Sequence, residues 1–319
     1  MTPEEYSFIK ECLGIRRNTF YYYKDKYALE IIRMLCERNS EVKIGALKKS
    51  RFSFLLQKDP IKKVISKIGR DTLTLEDFDE VMDLNGKCFS FTISEWGEYK
   101  RHRNDSYFQT SRPGVNLVLQ LNFDELHNRF YNQLINPEEG DHPFASTFHP
   151  VLVKREYTMS WARLDISLDT GEVLVEEIQN DWLRETRRML ELIEQWEESG
   201  RDYSDYWLME RTTLKKLRDY YTLFLKPYFK LWDEAMLCLV LQFCKEELGV
   251  ERVWYHTFES GKHLKGYWEY SLPPRSLYTR LPKRFGFIET EEAPGFIRKE
   301  PYLKKKLRRK SLKWFTLLL

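Results

Sequence analysis

Apolar residues recur at helical spacing through the first part of the chain. In DKYALEIIRMLCER, Ala28, Ile31, Ile32 and Leu35 fall three and four apart, which predicts a helix with one face turned inward. DPIKKVISKIG opens on Asp59 as a candidate N-cap, places Pro60 in the first turn and stops at Gly69. TLTLEDFDEV reads as a further helix, with Thr74 as cap and Glu76 and Asp77 in its first turn. Residues 1–84 are therefore expected to form a helical region.

The period then changes from about 3.6 to 2. CFSFTISEW sets Phe89, Phe91 and Ile93 on one face and Ser90, Thr92 and Ser94 on the other, a half-buried strand. RPGVNLVLQLNF repeats the pattern with Val115, Leu117, Leu119 and Leu121, and Asp124 then caps the helix ELHNRFYNQLI. Residues 136–149 are polar, with two prolines and a glycine, and read as a loop. YTMSWARLDISL is a strand with Ala162, Leu164 and Ile166 inward. DTG at 169–171 signals a hairpin into the strand EVLVEEIQ, so these two strands should be antiparallel neighbours.

A helix follows in which Trp182, Thr186, Met189, Ile193 and Trp196 share a face. Arg184 and Arg188 are a like-charge pair on it, whereas Arg187 and Glu191 attract. KLWDEAMLCLVLQFCKEEL is apolar nearly all round and should be central, closing at Gly249. VERVWYHTF is a strand, parallel to an earlier one if the helices form a crossover. RSLYTRLPKRFGFI is a short helix interrupted at Pro282 that runs into an edge strand, and LKWFTLLL is a final strand. The order implies an α+β fold: a mixed, largely antiparallel central sheet flanked by helices over residues 85–319, with the helical region 1–84 before it.

Composition narrows the class. The chain has 319 residues, 42% hydrophobic, 32% charged and 15% aromatic, with a net charge of +3. Such totals suit a globular protein with a substantial core and exert no global pull toward nucleic acid. Charge is uneven, however: residues 43–70 hold nine Lys or Arg and one acid, Asp59, and residues 304–313 hold seven bases and no acid. Basic patches are the footprint of phosphate binding, and equally of an ordinary solvated surface. The five cysteines are scattered, without a CxxC pair, which implies reduced thiols and a cytoplasmic location. MTPEEYSFIK lacks the apolar core of a signal peptide, and no apolar run reaches the roughly 18 residues of a membrane span.

Several motifs are excluded. GKHLKGY lacks the Gly-Lys-Ser/Thr ending that holds phosphate and magnesium. HExxH and GxSxG are missing, and the six histidines (His102, His127, His142, His149, His256, His263) show no metal-ligand spacing. Cys238 and Cys244 lie in the most apolar helix, where a thiolate is disfavoured.

The chemistry concentrates where a strand becomes a helix, EVLVEEIQNDWLRE at 172–185. Strict alternation puts Val173, Val175, Glu177 and Gln179 on one face and Leu174, Glu176 and Ile178 on the other. Each face starts apolar and acquires a carboxylate. Asn180 or Asp181 can cap the helix. A carboxylate on an apolar strand face is costly unless bonded, and burial would raise its pKa and make it a candidate general base. The structural alternatives are an exposed or base-paired glutamate, capping by Asn180 and Asp181, and a bonded core role for His256 on the neighbouring strand.

VLVEEIQNDW resembles the EEIQSDW motif of an uncharacterised group of bacterial and phage-encoded proteins. The likeness extends to MSWARLDI, LWDEAMLCLVLQFCKEELGVERVWYHT and LYTRLPKRFGF, covering roughly residues 150–290, with Asn180 in place of Ser. The element order of hairpin, strand, helix, strand, helix ending in Gly-Phe, and two strands is also similar to GNAT-type N-acyltransferases. That resemblance implies acyl-CoA as co-substrate, with pantetheine pairing to the strand before the central helix. It further implies Glu177 or Glu176 as base and Tyr278 as acid, where the alternative for Tyr278 is a core aromatic. The usual glycine-rich pyrophosphate turn is replaced by QNDWLRETRR, leaving Arg184, Arg187 and Arg188 as the candidate phosphate-binding groups. Tyr278 lies about one turn further from Gly286 than in the GNAT pattern.

Three readings compete: an acyltransferase-like enzyme using Glu177; a different enzyme with Glu177, Gln179, Asp181 and His256 around a pocket; and a nucleic-acid- or protein-binding protein. For the third, the contact regions would be residues 43–70 and RRNTFYYYKDKY, whose tyrosines could stack on bases or simply pack.

Overall fold

The structure, a computed structural model, describes residues 1–14, 18–79, 86–98, 109–138, 142–146, 148–152, 156–265 and 273–319. Strands run β1 (Asn18–Tyr22), β2 (Val42–Lys43), β3 (Thr72–Leu73), β4 (Lys87–Glu98), β5 (Gly114–Asn122), β6 (Thr158–Ser167), β7 (Glu172–Gln179), β8 (Arg252–His256), β9 (Ile288–Thr290) and β10 (Trp314–Leu318). The α-helices are α1 (Pro3–Leu13), α2 (Tyr27–Asn39), α3 (Ile44–Lys48), α4 (Asp59–Lys67), α5 (Glu125–Ile135), α6 (Trp182–Glu198), α7 (Leu214–Asp219), α8 (Lys226–Phe229), α9 (Trp232–Glu246), α10 (Phe258–Lys265), α11 (Arg280–Arg284), α12 (Gly295–Lys299) and α13 (Pro301–Arg309).

The fold is α+β. Eight strands form one sheet in the order β1-β4-β5-β6-β7-β8-β10-β9, flanked by helices. All pairings are antiparallel except β7 with β8, which the crossover through α6 to α9 makes parallel. The DTG hairpin joins β6 to β7, with Gly171 at φ +60 where a left-handed residue is needed. The ending also matches the sequence pattern: β10 pairs with β8 on one side and with the short edge strand β9 on the other.

The region 1–84 is not wholly helical. β1 joins the sheet as an edge strand, and β2 and β3 make a separate two-residue ribbon. NTFYY is rich in aromatic and β-branched residues, which suit a pleated surface better than a helix. Of the tyrosines in RRNTFYYYKDKY, Tyr22, Tyr23 and Tyr27 are buried in the core and Tyr21 is half-buried against it. Arg16 and Arg17 of the same stretch, and His102, lie outside the described residues. Asp59 proves to be the first residue of α4, not its cap. Thr74 does cap, with Asp77 completing a capping box, but over the single 3-10 turn Leu75–Phe78.

The two faces of the sheet are covered differently. Leu117, Leu119, Leu164, Val173 and Val175 pack in the main core together with Leu237, Val240 and Cys244 of the nearly all-buried α9. That core is continuous with Tyr22, Ile32 and Leu55 of the N-terminal region. On the other face, Leu174, Trp254 and Trp314 meet Leu264 of α10, Phe296 and Ile297 of α12 and Leu303 of α13. No described helix is long and apolar enough to cross a membrane.

Candidate functional site

The strand-to-helix join is shaped by a β-bulge. Arg163 pairs with Glu177, yet the next residue of β6, Leu164, pairs with Val175. Glu176 is thus an extra residue in β7, and the extra residue shifts the alternation. Before it, Val173 and Val175 face the main core; after it, Ile178 does. Strict alternation had put Glu176 and Glu177 on opposite faces. Instead both carboxylates, with Gln179, join the side chains of Arg163, His256 and Lys265 on the other face.

These groups are sealed from solvent: Glu176, Glu177, Arg163, His256 and Lys265 are each 0–2% exposed. Glu177 accepts short hydrogen bonds from Arg163 and from the Gln179 amide, and Lys265 Nζ lies 3.7 Å from it. Lys265, the last residue of α10, donates to the Glu176 carbonyl at 2.5 Å. Glu176 accepts from the Ser111 amide at 3.0 Å and its hydroxyl at 2.9 Å. His256 Nε2 lies 3.2 Å from Glu176 and 2.8 Å from Ser111 Oγ, and its Nδ1 lies 3.0 Å from Ser260 Oγ. Ser111 and the acid share one ring nitrogen; Ser260, on the opposite nitrogen, is fully buried and donates to the Thr257 carbonyl at 3.2 Å, so no serine hydroxyl in this network is presented to a substrate as a triad nucleophile would be. Further along β6, Asp165 is held by Arg112 at 2.7 Å and by the Met1 amino group at 2.9 Å.

Electrostatics correct the expectation of a raised glutamate pKa. Burial pushes the Glu177 carboxyl up, but Lys265, Arg163 and the Gln179 hydrogen bond together outweigh it and hold the group at about 2. Glu176 is likewise held at about 2, against burial. The His256 ring is driven toward its neutral form by burial. Its hydrogen bond is the leading influence that holds Glu176 ionised, and Lys265 and Arg163 add to it. Burial lowers Lys265 to about 8, with Glu177 and Glu176 opposing the shift. Two fixed carboxylates and one fixed guanidinium thus surround an ammonium whose proton is exchangeable near neutrality.

The remaining candidates separate. Asp181 does not join this cluster. Its carboxylate is held by His149 at 2.9 Å, Trp161 Nε1 at 3.1 Å and Arg184 at 2.8 Å. The cap of α6 is Asn180, whose Oδ1 accepts from the Leu183 amide at 2.9 Å, while Asp181 makes no side-chain cap bond. Tyr278 is buried in the 3-10 turn Arg275–Tyr278, its ring 5.7 Å from Lys265 Nζ and packed against Tyr255.

A cavity of about 290 Å³ opens at the C-terminal end of β7, lined by Gln179, Asn180, Leu183, Arg184, Arg187, Phe229, Trp232, Asp233, Pro274, Ser276 and Leu277. Of the three candidate arginines, Arg184 and Arg187 line it, and all three are paired with acids: Arg184 with Asp181 at 2.8 Å, Arg187 with Glu191 at 3.5 Å and Arg188 with Glu185 at 2.8 Å. Gln179 Oε1 and Asn180 Nδ2 are buried without a hydrogen-bond partner among the described residues. Above this opening β7 and β8 part company. Their pairing runs from Glu172/Arg252 to Val175/Tyr255, while β7 continues against β6 as far as Gln179.

Sequence reasoning missed Arg163, Lys265 and Ser111. The one available signal was Arg163 and Asp165 in WARLDI, alternating charges on a strand whose every residue proves to be buried. Among the described residues no cluster of His, Cys, Asp and Glu fits a metal ion. Comparison with protein-family models, with curated proteins and with solved structures finds no match for this chain.

Proposed function

We propose that this protein is an acyltransferase of GNAT-like plan that takes an acyl-CoA at the opening between β7 and β8. One observation carries the reading. The parallel pair stops at Val175/Tyr255, β7 runs on to Gln179 paired with β6 only, and a cavity with two arginines and two unbonded amide atoms lies at that end. In open sheets with parallel neighbours, ligands bind beyond the carboxyl ends of the strands. A volume of about 290 Å³ suits the pantetheine arm rather than a whole CoA. Arg184 and Arg187 would meet the phosphates in place of a glycine-rich turn. The sequestration of Asp181 by His149, Trp161 and Arg184 removes the repulsion its charge would otherwise exert there.

The proton chemistry of this proposal differs from a glutamate base. An acceptor works best with a pKa near the working pH, and Glu177 is held far below it. Lys265, at about 8 and facing the Tyr278 ring, is the better matched group; both side chains are buried behind the cavity rather than lining it, so the proposal requires substrate to open a path to them. Glu177 and Glu176 then act as positioning residues that hold Lys265, with Tyr278 as proton donor to the departing thiolate. The five free cysteines, three of them buried, support a reducing cytoplasmic setting. A nucleic-acid partner is a second reading, carried by the basic residues 43–70 and independent of this cavity.

Calorimetric titration with acetyl-CoA tests the proposal. One saturable site is expected, weakened about tenfold or more in Arg184→Glu/Arg187→Glu. A flat trace, or equal binding by the charge-reversed variant, overturns it.

A further inference from the structure

We propose that α4 and the turn after α3 form a docking surface for duplex DNA. The inference deepens the second reading above and does not depend on acyl transfer.

The surface is built by a compact unit. α2, α3 and α4 pack around Ile32, Leu47, Leu55 and Ile61, and the β2–β3 ribbon ties the two ends of the unit together through Val42/Leu73 and Lys43/Thr72. α4 is two-sided. Ile61 and Val64 are buried, while Lys62, Lys63, Ser66 and Lys67 are exposed on the opposite side, stacked four residues apart. Lys43, Lys48, Lys49 and Arg51 add exposed cations from the preceding segment.

Not all of this charge is available. Lys58 is bound to Asp25 at 2.9 Å and Arg70 to Asp77 at 2.7 Å. Lys43, Lys48, Lys49, Lys62 and Lys67 make no ion pair with any described residue. Asp59, the only acid between 43 and 70, lies at the far N-terminal turn of α4.

The character of the patch selects the partner. Protein interfaces centre on apolar and aromatic side chains and are depleted in lysine. Here none of the large exposed apolar residues falls between 43 and 70. Single strands are bound by stacking on exposed aromatics, but Phe52 is buried and Phe54 half-buried. The RNA major groove is too deep and narrow for a helix. A nine-residue helix about 13 Å long, with one polar basic side, fits the roughly 12 Å major groove of DNA, with the flanking lysines on phosphates.

The test is fluorescence anisotropy of the full chain with a labelled duplex of about 20 base pairs, from about 50 to 200 mM salt. With about five phosphates contacted, log K should fall with log salt at a slope of roughly −4.5. Lys49→Ala/Lys62→Ala/Lys67→Ala should bring the slope to roughly −2 and weaken binding about tenfold or more at low salt. Lys304→Ala/Lys305→Ala/Arg308→Ala, on α13, should leave both unchanged. No binding at low salt overturns the proposal, as does loss of binding in the α13 variant instead. A single strand or RNA duplex that binds equally or more tightly would retain nucleic-acid binding but overturn duplex DNA docking.

Discussion

Glu177→Gln probes the buried cluster directly. The substitution keeps shape and removes one anion from a set of two carboxylates and two cations, none more than 2% exposed. Removing one partner of a buried pair costs roughly 3–5 kcal/mol, because the other charge is left uncompensated. The size should depend on pH in a defined direction. Lys265 titrates at about 8 in the folded protein and 10.5 otherwise. A base lowered in this way destabilises the folded state while charged. That penalty is full below about pH 8 and vanishes as pH rises toward 10.5. Glu177 is the leading influence that keeps Lys265 charged, so its loss deepens the penalty. At about pH 6 it balances two cations, and at about pH 9.5 essentially Arg163 alone. Urea unfolding followed by tryptophan fluorescence should show a destabilisation of roughly 3–5 kcal/mol at the lower pH that shrinks at the higher. A loss below about 1 kcal/mol at the lower pH, or one that grows with pH, refutes the charge assignment.

Three further outcomes are expected. Glu176 and Glu177 are held at about 2 against an ordinary 4.5, so their stabilisation is complete above pH 4.5 and is lost as pH falls toward 2; the unfolding free energy from urea titrations across that window should drop, by on the order of 3 kcal/mol per group, and a flat profile contradicts the account. Asn180→Ala should cost about 1 kcal/mol through the lost cap of α6 while Asn180→Ser costs less, read from thermal midpoints; equal loss in both argues against capping. Gly286→Ala should destabilise by about 2 kcal/mol or more, since Gly286 sits at φ +77 and a Cβ would lie 2.3 Å from Phe52 Cε1; unchanged urea stability would contradict that packing.

Periodicity carried most of the sheet. β4 through β8 and β10 follow the alternating or continuous apolar runs, because one side of each strand must face the core; β9, with no buried residue, followed only as the edge strand after Gly286. β1 was missed because its five residues lie among helical segments and its partner β4 begins 65 residues after β1 ends. The bulge at Glu176 left no local mark: the alternation is correct up to Val175 and is reset by one residue that only the pairing with β6 reveals. The burial of Glu177 was legible from its place on an apolar strand. Its charge state was not, because Lys265 arrives from a helix 88 residues later and Arg163 from across a hairpin. Both cations had to be seen beside it before the direction of the pKa shift could be assigned.

A crystal of the protein soaked with acetyl-CoA tests the central claim most directly. The account predicts pantetheine density beside β7 beyond Val175, the acyl end toward Lys265 and Tyr278, and phosphates near Arg184 and Arg187. Density confined to another surface, or none at a saturating soak, contradicts it.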